Sequence, residues 1–207
     1  MQKIYKLNIE ELENAQICKN LYAGLSENRQ RKIDSMRQQK GKLLSLGAGV
    51  LIDRGLKEYG LREARVRTVF GENEKPYFPD YPDIHFNVSH SEKMVLAVFS
   101  DTEVGCDIEH VAPIKMKIAK RFFCPSEYEF IMQQEEEKRL ETFYRFWTLK
   151  ESFMKATGLG MKLPMDSFCV RLGEEIRVEH QLNGAKYHME EWGEGEYRAA
   201  MCYLSDF

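Results

Sequence analysis

The sequence predicts a mixed α/β chain (α+β in layout) with strands and helices in both of its halves. Three observations carry this. Phe143 to Gly158 has a helical period: Phe143, Phe146, Trp147, Phe153 and Met154 form one broad apolar stripe, and Gly158 caps its C-terminal end. Ile84 to Ser89, Met94 to Phe99 and Val104 to Glu109 read as strands separated by turn residues. The chain has 207 residues, 43% hydrophobic and 30% charged, enough to bury a core as one large domain or two small halves.

The same composition excludes several classes. It is too apolar for a disordered protein. The formal net charge of −3 argues against a general nucleic-acid binder. The opening Met-Gln-Lys-Ile-Tyr-Lys-Leu-Asn has no apolar run of signal-peptide length, and no run is long enough to span a membrane. A cytoplasmic protein with no membrane partner is therefore expected. The five cysteines (Cys18, Cys106, Cys124, Cys169, Cys202) are odd in number and widely spread, and none forms a Cys-x-x-Cys pair. They read as reduced, mostly buried thiols without a zinc site.

In sequence order, Ile4 to Ile9 alternates weakly as a first strand and Glu10 to Leu25 reads as a helix. Ser26 then caps a second helix. From Arg29 to Lys42 stand Arg29, Arg31, Lys32, Arg37, Lys40 and Lys42 against the single acid Asp34, the most basic window in an acidic protein. This is either a solvated helix face or a landing site for a phosphate-sized polyanion. Leu43 to Tyr59 is an apolar helix whose Gly47 and Gly49 point to close packing against a neighbour. Val66 to Phe70 reads as a strand, followed by a loop from Gly71 to Asp80. Within it, Lys75 is held extended by Pro76 beside Tyr77 and Phe78, either to edge a flat ring or as a surface turn.

The strand from Ile84 ends at Ser89-His90-Ser91, and Val104 to Glu109 is expected to pair with Met94 to Phe99 as a hairpin. Ile114 to Phe123 alternates basic and apolar residues, as a short helix whose apolar side meets a partner. Ser126 with Glu129 fits a capping box for a helix through Met132, and the long helix begins near Lys138. Phe168 to Leu172, Ile176 to His180, Tyr187 to Glu191 and Tyr197 to Leu204 read as one antiparallel meander, with Asn183-Gly184 as a hairpin turn.

Two clusters carry chemistry. Asp107 and Glu109 are two apart on a strand and share a face, with Gly105 leaving room on that side. Like charges so placed repel unless a cation lies between them. A hard divalent ion such as Mg²⁺ meets that need; a solvated strand end is the alternative. On the long helix, Trp147, Glu151 and Lys155 follow one another at intervals of four and share a face.

Val104-Gly105-Cys106-Asp107-Ile108-Glu109 followed by Phe146-Trp147-Thr148-Leu149-Lys150-Glu151-Ser152-Phe153-Met154-Lys155 resembles the paired signature of the 4'-phosphopantetheinyl transferase superfamily, G-x-D-x-E then W-x-x-K-E-[AS]-x-x-K. Asn87 to Ser91, Glu74-Lys75-Pro76 and the basic window resemble the monomeric subtype that activates peptide synthetases. The resemblance covers nearly the whole chain. It implies two similar α/β halves about a pseudo-twofold axis, divided here as residues 1–103 and 104–207, with coenzyme A in the cleft between them. It also implies a holo-[acyl-carrier-protein] synthase activity. The phosphopantetheine arm of coenzyme A passes to a serine of an apo acyl or peptidyl carrier protein, releasing adenosine 3',5'-bisphosphate.

Carried over residue by residue, the resemblance makes Asp107, Glu109 and Glu151 the Mg²⁺ ligands. Glu151 is also a general base for the serine hydroxyl, and Lys155 contacts a bridging phosphate. Lys150 is a structural pair for some carboxylate, and Trp147 positions the helix. Ser89 and His90 bind coenzyme A phosphates; Asn73, Glu74, Lys75 and Pro76 line the adenine; Arg29, Lys32 and Lys42 clamp the 3'-phosphate. The clamp departs from the family pattern: the segment is one residue shorter, and Lys42 stands where an arginine is usual nearby. Lysine lacks bidentate phosphate geometry, so a lower coenzyme A affinity is expected. Met116, Ile118, Phe122 and Phe123 would meet the carrier, with Lys115, Lys117, Lys120 and Arg121 steering its acidic surface. Two other readings stand beside this one. A non-catalytic binder of coenzyme A or of a carrier would have no need of the carboxylates. A Mg²⁺-dependent phosphodiester hydrolase would need a further acid or histidine cluster.

Overall fold

The computed structural model describes residues 2–182 and 184–205. The first part of the protein runs β1 (Lys3–Asn8), α1 (Ala15–Ala23), α2 (Glu27–Ser35), α3 (Gln39–Lys57), β2 (Val69–Phe70), β3 (Pro76–Tyr77), β4 (His85–Ser91) and β5 (Met94–Ser100). The second runs β6 (Val104–His110), α4 (Lys117–Phe122), α5 (Pro125–Gln133), α6 (Glu136–Ala156), β7 (Cys169–Arg171), β8 (Arg177–Glu179), β9 (Tyr187–Glu194) and β10 (Tyr197–Leu204).

The two parts repeat one plan. Each opens on a strand, passes through helices, and closes with a hairpin whose last strand takes the centre of a three-stranded antiparallel sheet: β1-β5-β4 and β6-β10-β9. One long helix lies on each sheet, α3 on β1 and β5, α6 on β6 and β10. Glycines set how closely they approach. A Cβ on Gly47 would meet Val95 and Leu7, and one on Gly55 would fall 2.1 Å from the Phe99 ring. The expected close packing of α3 is therefore present.

The sheets meet along β4 and β6 through side chains in place of a backbone ladder. Asn87 Oδ1 accepts the Cys106 N–H at 2.9 Å, and Ser89 and Ser91 Oγ–H donate to Asp107 and Glu109, each at 2.7 Å. Behind this seam Met94, Leu96 and Val98 share one buried cluster with Val104, Cys106, Ile108, Ala199 and Met201. The expected hairpin between Met94–Phe99 and Val104–Glu109 does not form. Both edges of β5 are occupied by β1 and β4, so β6 pairs with β10 instead.

Other expectations shift for local reasons. The helix expected over Glu10 to Leu25 breaks into a 3₁₀ turn (Ile9–Leu12) and α1, because Asn14 accepts the N–H groups of Gln16 and Ile17 and so starts a new helix. Ser26 caps α2 as expected, accepting from Arg29 N–H. The basic window is split, since Met36 is extended and α3 starts at Gln39. Val66 to Phe70 is strand only at Val69–Phe70, with a 3₁₀ turn before it (Glu63–Arg65). The α5 cap is Cys124, two residues before the expected Ser126. Pro125 takes the first helical position, and Glu127 accepts the Cys124 N–H at 2.9 Å. The C-terminal meander divides, with β7 and β8 as a separate ribbon. Asn183 of the expected turn lies outside the described residues, while Gly184 has φ +66°.

The expectation of five reduced thiols is overturned. Cys124 and Cys169 are 45 residues apart in sequence, yet docking of the α5 N-terminus on β7 brings their Cα atoms to 5.8 Å and they form a disulfide. Cys18, Cys106 and Cys202 are free. No helix among the described residues is long and apolar enough to cross a membrane.

Candidate functional site

The seam of the two sheets gathers the charged residues singled out by the sequence. Gly105 permits it. A Cβ there would lie 2.2 Å from Ser152 O and 2.3 Å from Ala156 N, so the backbone of α6 rests directly on β6. That contact sets the last turn of α6 over the strand two residues before Asp107. Lys155 Nζ then donates to Asp107 Oδ1 at 2.7 Å and to Ser89 Oγ at 3.2 Å. Three elements, β4, β6 and α6, thus converge on one carboxylate.

Asp107 is 3% exposed. Its Oδ1 is doubly supplied, by Ser89 and Lys155, but its Oδ2 is buried with no hydrogen-bond partner. Buried acceptors rarely stay unpaired, and such a lone pair is where an ion or ligand belongs. Its neighbours share the strain. Burial, then the Asp107 charge, push the Glu109 carboxyl above its ordinary range, against the Ser91 hydrogen bond. Burial also raises Glu151, with Asp107 adding repulsion and Lys155 opposing it. For Lys155, burial favours the neutral amine, but Asp107, Cys106 and Glu151 together outweigh it and raise its pKa above the usual range. Among the described residues no group of three or more His, Cys, Asp or Glu side chains is assembled as a metal cage.

The basic residues line a neighbouring cleft of about 290 Å³, where Arg29, Lys32 and His90 face Thr68, Phe70 and Pro76. Burial, then Arg29, lower the Lys32 pKa. Burial in the cleft also lowers His90, reinforced by Lys155 and Lys32. Arg29 Nε lies 3.7 Å from Glu63. A second hollow of about 210 Å³ is lined by Asn73, Glu74, Lys75, Pro76, Lys155 and Gly158. The two adjoin, with Pro76 and Val88 in both linings, and the second carries Lys155. Glu74 adopts φ +62° in the tight turn that closes the Gly71–Lys75 loop.

With one exception, the candidate residues therefore lie along two adjoining hollows and the seam beside them. Arg29, Lys32, Asn73, Glu74, Lys75, Pro76, Ser89, His90, Asp107 and Lys155 line the hollows or bond within the seam, and Glu109 and Glu151 are electrostatically coupled to Asp107. Lys42 is the exception. Its side of α3 lines a separate hollow with Cys18, Tyr22 and Asp34, away from Arg29 and His90. Lys150 is fully buried and bonds Glu127 Oε1 at 2.8 Å and Phe168 O at 2.7 Å, so the carboxylate it pairs with lies outside the seam and anchors α6 to α5 and β7. Trp147 packs on Phe123 and Phe143. Of the expected partner-facing residues, Phe122 is exposed, Met116 and Ile118 are half-buried, and Phe123 is in the core.

Sequence reasoning missed Phe70. It is 62% exposed at the mouth of the basic cleft, with Lys32 Nζ 6.0 Å from its ring centroid. A large aromatic directly before the Gly71 turn was the available signal.

The family model described as the 4'-phosphopantetheinyl transferase superfamily matches residues 103–202. The chain is 35% identical over 181 residues to a Bacillus subtilis 4'-phosphopantetheinyl transferase (ffp), spanning 87% of this chain and 81% of that one. It is 33% identical over 208 residues to another from Bacillus subtilis, spanning 97% and 91%. To 4'-phosphopantetheinyl transferase Sfp of Bacillus subtilis it is 41% identical over 126 residues, which is 61% of this chain and 56% of that relative, little more than half its length.

Proposed function

The chain belongs to the 4'-phosphopantetheinyl transferase superfamily, and from that premise we propose that it moves the phosphopantetheine arm of coenzyme A to a serine hydroxyl of an apo acyl or peptidyl carrier protein, giving the holo carrier and adenosine 3',5'-bisphosphate. The observation that carries this reading is the Lys155–Asp107–Ser89 junction beside the basic groove, with Asp107 Oδ2 buried and unpaired.

The groove suits the nucleotide end of coenzyme A. Arg29, Lys32 and His90 present positive or hydrogen-bonding groups to the 3'-phosphate, Phe70 and Pro76 offer flat apolar surface to the adenine, and Asn73, Glu74 and Lys75 edge it. Lys42 has no place in this clamp. The pyrophosphate then reaches Ser89 and Lys155. The carrier serine attacks the phosphorus that bears the pantetheine arm; a new Oγ–P bond forms and the P–O bond to the adenosine bisphosphate breaks. Lys155 supplies fixed positive charge to the leaving oxygens. Glu151, its pKa raised by burial, is suited to take the serine proton.

The donor set fits a hard divalent ion: three carboxylates in mutual repulsion, one with an orphaned buried oxygen. Asp107, Glu109 and Glu151 would hold Mg²⁺, which when bound neutralises charge on the pyrophosphate. We divide the protein into units at 1–103 and 104–207, the site lying between them. We take it to act as a monomer in the cytoplasm; the two complementary halves bring the groove and the carboxylates together without a second copy.

The test is intact-mass spectrometry of an apo acyl and an apo peptidyl carrier protein incubated with the protein, coenzyme A and Mg²⁺. A gain of one phosphopantetheine is expected, lost with a chelator and lost in Glu151→Gln while coenzyme A still binds. Binding of coenzyme A with no gain on either carrier would overturn the transferase in favour of a non-catalytic binder.

A further inference from the structure

Glu103 belongs to none of the motifs that carry the resemblance, yet it is tied to both halves. Its backbone carbonyl oxygen accepts the N–H of Leu204 at 2.8 Å, joining it to the end of β10. Its carboxylate reaches the other way. Oε2 accepts from Lys75 Nζ at 2.5 Å, and Oε1 stands 3.3 Å from His85 Nδ1. Lys75 Nζ in turn donates to the carbonyl oxygen of Ala156 at 3.1 Å. Ala156 is the last residue of α6 and follows Lys155. The last carbonyls of a helix have no partner within it and attract cations, so this lysine caps the helix that carries the catalytic ammonium. Asn73 Nδ2 adds a second tie, to Gly158 O at 2.9 Å.

These contacts close a circuit. It runs from β10 through Glu103 to Lys75, the wall of the nucleotide groove, and back to the C-terminal end of α6. A lysine stem is flexible and loses much rotamer freedom when held. Here two acceptors hold it, so the stem and Pro76 stay against the groove. We propose that Glu103 is a positioning residue for coenzyme A: it orients Lys75 so that the nucleotide-binding loop and the Lys155 end of α6 keep one register across the two halves. This inference rests on the transferase reading above. The Glu103 carboxyl supports it: burial would raise its pKa, but His85 and Lys75 hold it down at about 2, so it is charged throughout the working pH range.

The experiment is calorimetric titration of coenzyme A into the wild type, Glu103→Gln, Lys75→Gln and the double variant, with kcat and KM for coenzyme A measured on an apo carrier. Glu103→Gln is expected to weaken binding about 5- to 20-fold, the range of a modest coupling between sites, raising KM while kcat at saturation stays within about twofold. In the Lys75→Gln background the same change should have no further effect. A Kd for Glu103→Gln within twofold of wild type, or an equal loss in both backgrounds, overturns the proposal. Should Glu103→Gln melt early, Glu103→Asp keeps the charge, shortens the reach, and must show the same dependence on Lys75. A wild type that binds no coenzyme A overturns the parent reading and this inference with it. A wild type that binds, beside a Glu103→Gln that binds equally, overturns this inference alone.

Discussion

Asp107 shows how one residue can concentrate a site. Its one oxygen is held by Ser89 and Lys155 from two other elements, and its other oxygen is buried and bare. Desolvated carboxylates beside it, Glu109 and Glu151, resist ionisation, so at neutral pH their charges oppose folding. A divalent cation relieves both costs. Differential scanning fluorimetry at pH 7 should therefore show Mg²⁺ raising the Tm. At about one hundred times its Kd the gain is about 2.7 kcal/mol, about 5–10 °C for a protein of this size. Asp107→Ala should lose most of that rise while remaining folded. A Tm indifferent to Mg²⁺ in the wild type would remove the cation from these carboxylates.

At the scale of elements, the contact of α6 with β6 decides whether the site exists. Gly105 has no Cβ, and α6 lies where one would be. Gly105→Ala must lift the helix, at a cost of about 3 kcal/mol or more, and a Tm drop of about 6–12 °C. The same lift takes Lys155 off Asp107, so transfer should fall more than stability alone explains. Gly24→Ala is the control, since its added Cβ meets only ordinary contacts at 3.5 Å and beyond. Normal activity in Gly105→Ala would refute the close-approach argument. Five residues before Lys155, the same helix is fixed by Lys150 and Glu127, both fully out of solvent. A buried ion pair of this kind specifies position more than it stabilises. It holds the stripe of α6 against α5 and β7 while the opposite face presents Glu151 and Lys155.

At the scale of the molecule, the two sheets share a plan and meet through Asn87, Ser89 and Ser91. Neither half contains the proposed site alone. The first supplies the basic groove, and the second supplies the carboxylates and Lys155. The second half is further closed by Cys124–Cys169, which encloses α5 and α6 in a loop 45 residues long. Restricting the unfolded state this way stabilises by about 2–4 kcal/mol, so a dithiol reductant should lower the Tm by about 4–16 °C. The Cys124→Ser, Cys169→Ser double variant should match the reduced protein and no longer respond to reductant. A wild type whose melting ignores reductant would show that the bond is not formed.

The sequence by itself determined the elements with long regular periods and which face of its element each charged candidate occupies. The stripe from Phe143 to Met154 is a helix because its apolar spacing leaves it no other way to bury that face. The spacing of Asp107 and Glu109, and of Glu151 and Lys155, set each pair on one face of its own element, and local geometry alone guarantees that. Tertiary structure decided what pairs across long separations. β6 joined β10 in preference to its neighbour β5, Cys124 met Cys169, Lys150 met Glu127, and Glu103 met Lys75. Lys42 faces another hollow than Arg29 and Lys32, since α2 ends at Ser35 and α3 begins only at Gln39. Local periodicity carries no information on such choices. They are set by which surfaces the packed halves leave available, and by the cost of leaving a buried charge or strand edge without a partner.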